Sequence, residues 1–201
     1  MIYVISGPSG CGKSTLIQSL LSRLDGLQFS VSHTTRPKRL NEIEGQDYYF
    51  ISPERFEEMK KAGAFLEWAV VHGQLYGTSW EEVRRKSKLG DLILDIDVQG
   101  AHQVKKKLEE AKFIFVVPPS YPELEKRLRQ RKTEQPEMLT LRLKNARKEI
   151  LESDIFEYLV INDQLEEALD ELKSIILAHR CLFKNREKEF KTILKSFKSW
   201  P

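Results

Sequence analysis

Apolar and polar positions along this chain form short apolar runs that alternate with stretches of helical spacing. Ile2-Tyr-Val-Ile5 is an apolar, β-branched run and predicts a buried strand. From Thr15 to Arg23 apolar residues recur at Leu16, Leu20 and Leu21, with Leu24 just beyond, as on one face of a helix. Leu27 to Ser32 predicts a second strand, and His33 to Gln46, poor in apolar residues, a loop. Tyr48-Tyr-Phe-Ile51 predicts a short strand. Ser52 followed by Pro53 marks a helix start, an N-cap with proline at the first helical position. Phe56 and Met59 lie one turn apart on it, and Gly63 ends it. Phe65 to Val71 is strand-like and carries one carboxylate, Glu67, in an apolar setting; Gly73 and Gly77 frame an expected turn around Tyr76.

The second half repeats the alternation. Ser79 and Glu82 have capping-box spacing for a helix to about Lys88, with Gly90 as its stop. Leu92 to Asp97 predicts an apolar strand with acids at its carboxyl end, Asp95 and Asp97 sharing one face. A helix through Lys107 and the strand Phe113 to Val117 follow. Pro118-Pro119-Ser120 breaks that strand, and Ser120 with Glu123 caps a helix on which Arg127 and Arg131 share a face. Polar residues from Lys132 to Gln135 interrupt it, and Pro136 starts a further helix bearing Arg142. Tyr158 to Ile161 is the last strand and Leu165 to Leu182 the last amphipathic helix, which the tail beyond Phe183 is expected to extend. Such alternation implies an α/β fold, a parallel sheet covered by helices on both faces. Ligands of these sheets bind beyond the carboxyl ends of strands. Asp95 and Asp97 fall there, where a P-loop enzyme places its second Mg²⁺ group, or form a solvated strand end.

Composition narrows the class. At 201 residues the chain holds one substantial domain, and its 40% hydrophobic and 31% charged residues are those of an ordinary globular protein. The net charge of +3 does not imply a nucleic-acid partner, because most of the surplus lies in the C-terminal tail from Lys184 to Lys198. That tail reads as a solvated helix or as a contact to a partner or an anionic surface. Cys11 and Cys181 are too far apart in sequence for a disulfide framework or metal spacing, which fits a reducing cytosol. Neither a secretory segment nor a membrane-spanning apolar run is visible, so a cytoplasmic protein without membrane or nucleic-acid partners is expected. The four histidines have no evident partners and read as surface or packing residues.

One motif organises the chemistry. Gly7-Pro8-Ser9-Gly10-Cys11-Gly12-Lys13-Ser14, followed by Thr15, fits G-x-x-x-x-G-K-[ST] between a predicted strand and a predicted helix. Glycines let successive backbone N–H groups turn inward on a phosphate, and the helix N-terminus adds positive potential. Lys13 reaches the β- and γ-phosphates in this pattern, and the Ser14 hydroxyl ligates Mg²⁺. The motif alone indicates only a nucleoside triphosphate; switch proteins, motors and small-molecule kinases share it. The stretch between the second strand and Asp95 adds Arg36, Arg39, Tyr48 and Tyr76, residue types suited to an anionic phosphate. Glu67 is either functional or a core acid paired with one of these arginines.

These segments resemble guanylate kinases. The likeness is carried by Ser32-His-Thr-Thr-Arg36-Pro-Lys-Arg39, Gly45-Gln-Asp-Tyr48, Phe65-Leu-Glu67-Trp68, Tyr76-Gly-Thr78 and Leu94-Asp95-Ile-Asp97-Val-Gln-Gly100, in order from about Ile5 to Asn162. It implies ATP-dependent phosphorylation of GMP, and of dGMP, by a monomer or homodimer. It also implies a mixed GMP-binding subdomain at about 33–90, a helical lid at about 126–145, and a core of about 1–32, 91–125 and 146–201. By this resemblance Ser32, Glu67 and Thr78 contact guanine, and Arg36, Arg39, Tyr48 and Tyr76 hold the GMP phosphate. Asp95 lies by GMP and metal with Asp97 behind it, Arg127, Arg131 and Arg142 are lid arginines, and Asn162 is near adenine. Base chemistry agrees: a carboxylate at Glu67 accepts from guanine N1 and N2 while the Ser32 hydroxyl donates to O6. Adenine reverses that polarity.

Asn41 and Lys132 stand where many relatives carry glycine, and Lys132 is expected to affect the lid. A scaffold module that resembles this fold without chemistry is disfavoured by the intact Gly12-Lys13-Ser14. Another small P-loop kinase is disfavoured by Glu67 with Ser32, and a GTPase switch by the lack of an Asn-Lys-x-Asp segment.

Overall fold

The computed structural model describes residues 1–71, 73–130 and 136–198. β1 (Ile2–Ser6) leads through the glycine-rich loop into α1 (Lys13–Arg23). Then come β2 (Leu27–Phe29), β3 (Ser32–Thr34), β4 (Tyr48–Phe50), α2 (Pro53–Lys61), β5 (Phe65–Val71), β6 (Gln74–Ser79) and α3 (Trp80–Ser87). β7 (Asp91–Asp95), α4 (Val98–Lys107), β8 (Lys112–Val117), α5 (Tyr121–Gln130) and α6 (Pro136–Leu151) follow. β9 (Tyr158–Ile161), α7 (Leu165–Arg180) and α8 (Glu187–Lys198) complete the order.

The strands make two sheets. Five form a parallel sheet in the order β2-β7-β1-β8-β9, and four form a mixed sheet, β4-β3-β6-β5. In the mixed sheet β3 runs parallel to β4, and β6 runs antiparallel to both β3 and β5. The central strands of the parallel sheet are apolar at successive positions because both faces are covered. Tyr3, Ile5, Ile93, Ile114 and Val116 pack on one side with Leu16 and Leu20 of α1 and Leu169 and Leu172 of α7. Val4, Leu92, Leu94 and Phe113 pack on the other with Val83 of α3 and Ala101 and Val104 of α4.

Local signals place several helix starts where they are expected. The Ser52 hydroxyl accepts from Arg55 N at 3.2 Å, Ser79 from Glu82 N at 3.2 Å, and Ser120 from Glu123 N at 3.3 Å. The capping box at Ser79 is only half formed. Glu82 does not turn back to Ser79; its side chain is 3% exposed and accepts from Val31 N, Tyr49 Oη and Arg85.

Four sequence expectations are corrected. The run Leu27 to Ser32 is two strands in two sheets, β2 and β3, with the break at Ser30-Val31 where Val31 N turns to Glu82. Gly77 and Tyr76 lie inside β6, and only Gly73, at φ +79°, belongs to the turn. Asp97 is not in the strand; it is the N-cap of α4, accepting from Gly100 N at 2.8 Å. The tail does not extend α7: a short 3-10 turn at Phe183–Asn185 separates it from α8. Phe190, Ile193, Leu194 and Phe197 line one exposed face of α8. Among the described residues no helix is long and apolar enough to cross a membrane.

Candidate functional site

The glycine-rich loop closes over the amino end of α1. Gly12 stands at the N-cap with φ +90°, and a Cβ there would collide with the Asn162 amide. No side chain caps α1, so its first-turn N–H groups are left to an external anion. Lys13 Nζ pairs with Asp95 Oδ1 at 3.0 Å, and Gly7 O and Ile96 O each lie 3.5 Å away. Burial works against the Lys13 charge, but the Asp95 carboxylate and its other neighbours outweigh it and hold its pKa above the ordinary lysine value. Asp95 comes to this place because β7 pairs with β1, putting Ile5 opposite Asp95. Cys11 packs into the apolar core rather than toward ligand, and burial pushes its thiol up. Ser14 and Thr15 are exposed at the start of α1, and Pro8, within the loop, is buried.

Glu67 lies on the facing sheet. A bulge in β5 sets Phe65 opposite Ser79 and Glu67 opposite Thr78, so two steps on one strand match one on the other. Three consecutive side chains are thereby buried. Phe65 stacks on Phe56, Leu66 joins the core with Val4, and Glu67 turns to the cleft at 3% exposure. Burial pushes the Glu67 carboxyl up to about 7, with the Thr78 hydrogen bond opposing the rise and Asp97 adding to it. Ser32 Oγ and Thr78 Oγ1 are 3.3 Å apart beside it. The start of α4 comes this close only because residue 100 is glycine; a Cβ there would meet Glu67 Oε2 at 2.5 Å.

Between these two ends lies a cavity of about 290 Å³. The parallel sheet lines it with Gly7, Ser9, Lys13, Ser14, Asp95 and Asp97, and the mixed sheet with Ser32, Arg39, Tyr48, Glu67 and Tyr76. From α6, Arg142 and Glu149 close the third side. Burial, then the Asp95 charge, pushes the Tyr48 phenol up to about 12, so it stays a donor. Burial likewise raises the Asp97 carboxyl and lifts Glu149 to about 7.

Besides Pro8, Gly10, Cys11, Gly12 and Thr15 of the loop, four expected site residues stand outside the lining. Arg36 lies behind Tyr76, donating from Nε to its hydroxyl at 3.2 Å, and Thr78 lies behind Ser32. Asn162 is buried against the underside of the loop, its Nδ2 donating to Cys11 O at 2.7 Å. Arg127 sits beside it, donating to Asn162 O at 2.9 Å, to Cys11 O at 3.5 Å and to Glu123 at 3.0 Å. Gly10, also in the loop, packs against Leu128. Arg131 and Lys132 lie outside the described residues. Two acids at the site escape the sequence reading. Glu149 follows Arg142 by seven residues, two turns on one helix face, and that spacing was its signal. Glu42 pairs with Arg36 at 2.7 Å; an acid among loop arginines was the hint.

The guanylate kinase family model matches residues 1–179. A guanylate kinase of Syntrophotalea carbinolica is 47% identical over 182 residues, 90% of this chain and 87% of that protein. One of Thermotoga maritima is 44% identical over 200 residues, 99% of this chain and 97% of that protein. The crystal structure of guanylate kinase from Anaplasma phagocytophilum superimposes with a TM-score of 0.75 at 32% identity, over 94% of this chain and 95% of that one.

Proposed function

Because the chain belongs to the guanylate kinase family and transfers the γ-phosphoryl group of ATP to GMP, we propose that its two substrates meet in the cavity between the two sheets. One observation carries this reading: a single cavity has Lys13 and the open N-terminus of α1 at one end and the buried Glu67 at the other. The loop from Gly7 to Thr15 takes the ATP phosphates. On arrival they draw Lys13 from Asp95, since a dianionic phosphate competes with one carboxylate for the same ammonium. Glu67 in its ionised form accepts the guanine N1 and N2 hydrogens, and Ser32, oriented by Thr78, donates to O6. Arg39, Tyr48 and Tyr76 face the GMP phosphate, with Arg36 behind.

The nucleophile needs no base. A phosphate monoester has its second pKa near 6, so the attacking oxygen is already ionised at neutral pH. Catalysis therefore consists of alignment and charge stabilisation between two anions. Lys13, Arg142, Arg127 and Arg131 are the cations assigned to it. Arg127 must then leave Asn162 O and Cys11 O, which is motion of the α5–α6 region, the lid of about residues 126–145. Asn162 keeps the loop in register beside the adenine site. The acceptor-reading unit is about residues 33–90, and about 1–32, 91–125 and 146–201 form the core.

Ser14, Asp95 and Asp97 offer only oxygen donors, the set that suits Mg²⁺. Among the described residues no group of three or more His, Cys, Asp or Glu forms a cage. Mg²⁺ bound with phosphates needs only one or two carboxylates, so the residues fit it. When bound, it supplies charge neutralisation on the phosphate oxygens. The reading uses residues of one chain only, which a monomer and a homodimer satisfy alike, and a cytoplasmic setting, where ATP and GMP are available.

The test is ADP formation from ATP with GMP beside AMP, UMP and TMP. GMP should lead AMP in kcat/KM by at least about 10²-fold, since a site built for one hydrogen-bond pattern leaves buried groups unpaired with the other. Equal rates would overturn the assignment of Glu67.

A further inference from the structure

Arg36 and Arg39 lie on or beside a segment with little apolar support. Pro37, Lys38, Arg39, Leu40 and Asn41 are all exposed, Leu40 completely. Glu42, with a side chain 16% exposed, gathers this segment. Its Oε1 accepts from Arg36 Nη2 at 2.7 Å, and its Oε2 from Arg36 Nη1 at 3.0 Å and from Arg39 N at 2.8 Å. Glu42 N in turn donates to Arg39 O at 3.2 Å. One carboxylate thus holds the guanidinium of one arginine and the backbone of the other.

The guanidinium is a rigid planar fork. Glu42 takes its end edge, and Pro37 O accepts a further Nη1 hydrogen at 2.8 Å. The remaining edge, Nε with Nη2, is the one that meets Tyr76 Oη, and Tyr76 and Tyr48 line the cavity. The guanidinium carbon also lies 5.4 Å from the Tyr48 ring centre and 5.8 Å from that of Phe50. Five groups therefore fix its plane before any ligand arrives. The pairing depresses the Glu42 carboxyl through its bond to Arg36, so the acid stays ionised at neutral pH.

We propose that Glu42 is a positioning residue for the GMP phosphate: it holds Arg36 so that its second Nη2 hydrogen, the hydroxyl of Tyr76 that accepts from Arg36 Nε, and Arg39 form one preformed phosphate seat. The proposal rests on the reading of Arg36 and Arg39 as phosphate residues. Its physical content is preorganisation, the ordering of long side chains before binding rather than during it. Its charge acts in the opposite sense, since a carboxylate near the seat repels a dianion.

The experiment compares Glu42→Gln, Glu42→Asp, Arg36→Ala and the double variant Glu42→Gln/Arg36→Ala with the parent enzyme. KM for GMP is measured at saturating ATP, and the affinities for GMP and for guanosine, which lacks the phosphate, are measured by calorimetry. Glu42→Gln should raise KM for GMP about 10-fold and change kcat less than about 3-fold, as loss of binding predicts. Guanosine affinity should stay within about 2-fold, and the loss in the double variant should fall well short of the product of the two single losses. Glu42→Asp, which keeps the charge on a shorter arm, should fall between. Equal weakening of guanosine and GMP by Glu42→Gln would reduce Glu42 to a structural part. A KM below the parent value would mean that the carboxylate occupies the place of the phosphate. Either result overturns the proposal, as would an effect that adds to that of Arg36→Ala. Arg36→Ala with unchanged KM for GMP would instead sink the underlying phosphate assignment.

Discussion

In the five-stranded sheet the glycine-rich loop hangs from strands buried on both faces, whereas in the four-stranded sheet the arginine segment follows a strand of three residues. The loop at Gly7–Ser14 is shaped by backbone and core: Gly12 admits no side chain, and Cys11 is sunk among Leu16 and Val116. The arginine segment is shaped by polar side chains, above all the Glu42 carboxylate between Arg36 and Arg39. Backbone amides on a packed core hold an anion in a fixed place. Side chains on an exposed segment hold one only as firmly as their own partners hold them. On the proposed reading, the first region governs the chemical step and the second the capture and choice of acceptor.

Substitutions should separate these two contributions. Lys13→Ala carries the largest expected effect, a fall of about 10³-fold in kcat, the scale of removing one charge-stabilising donor. Calorimetry should find GMP affinity within about 3-fold of the parent, because the acceptor's contacts lie on the other sheet. If GMP binding collapsed in step with turnover, the division between the sheets would be lost. Glu67→Gln comes next, with kcat/KM for GMP reduced by about 10²-fold and the preference over AMP largely erased. An unchanged ratio of GMP to AMP would locate base reading elsewhere.

The acidity of Glu67 adds a pH signature. Burial pushes this carboxyl up to about 7, and only its ionised form accepts from guanine. GMP binding should weaken as pH falls below that value, KM rising toward 10-fold per unit, and level off above it. The GMP phosphate also titrates, near 6. Glu67→Gln should therefore keep only that lower inflection, and two identical profiles would remove Glu67 from the titration. The smallest effect is expected at Ser52, the N-cap of α2. Ser52→Ala should lower the unfolding free energy by about 1 kcal/mol in a denaturant titration and leave kcat unchanged.

What was readable in the chain and what was not divide by the range of the interactions responsible. The start of α2 is legible because Ser52 and Arg55 are three residues apart and need nothing else. The loop at Gly7–Ser14 is legible for the same reason, its strand and helix being its immediate neighbours. The single strand expected over Leu27 to Ser32 fails because its break is set from 51 residues away, where Glu82 meets Val31 N. Gly77 looks like a turn residue in isolation. In β6 it is a close-packing residue, since a Cβ would press Phe65 at 3.0 Å and Phe56 and Glu67 O at 3.1 Å. At the site, Glu67 stands out as a charge in an apolar run. Its burial among three consecutive inward side chains depends on the β5 bulge, for which the local sequence has no marker. Glu42 is adjacent to its partners in sequence, yet an acid among loop residues is indistinguishable from a solvated one until its two arginines are brought to it.

The mixed sheet is inserted between β2 and β7, which are hydrogen-bonded neighbours in the parallel sheet. Phe29, where the chain departs, is opposite Ile93, and the returning strand begins at Asp91, two residues earlier. Exit and re-entry thus lie on neighbouring strands, about 4.8 Å across and two residues, about 6.6 Å, along. A stretch of more than fifty residues is spliced through this narrow doorway, and the glycine-rich loop at Gly7–Ser14 lies entirely upstream of it. The excursion is in effect an exchangeable cartridge. A different acceptor-reading insert would have to match two adjacent stubs, the packing of Leu66 and Val83 on the parallel sheet and the approach of Gly100 to Glu67, while the loop proposed to take the triphosphate stayed as it is.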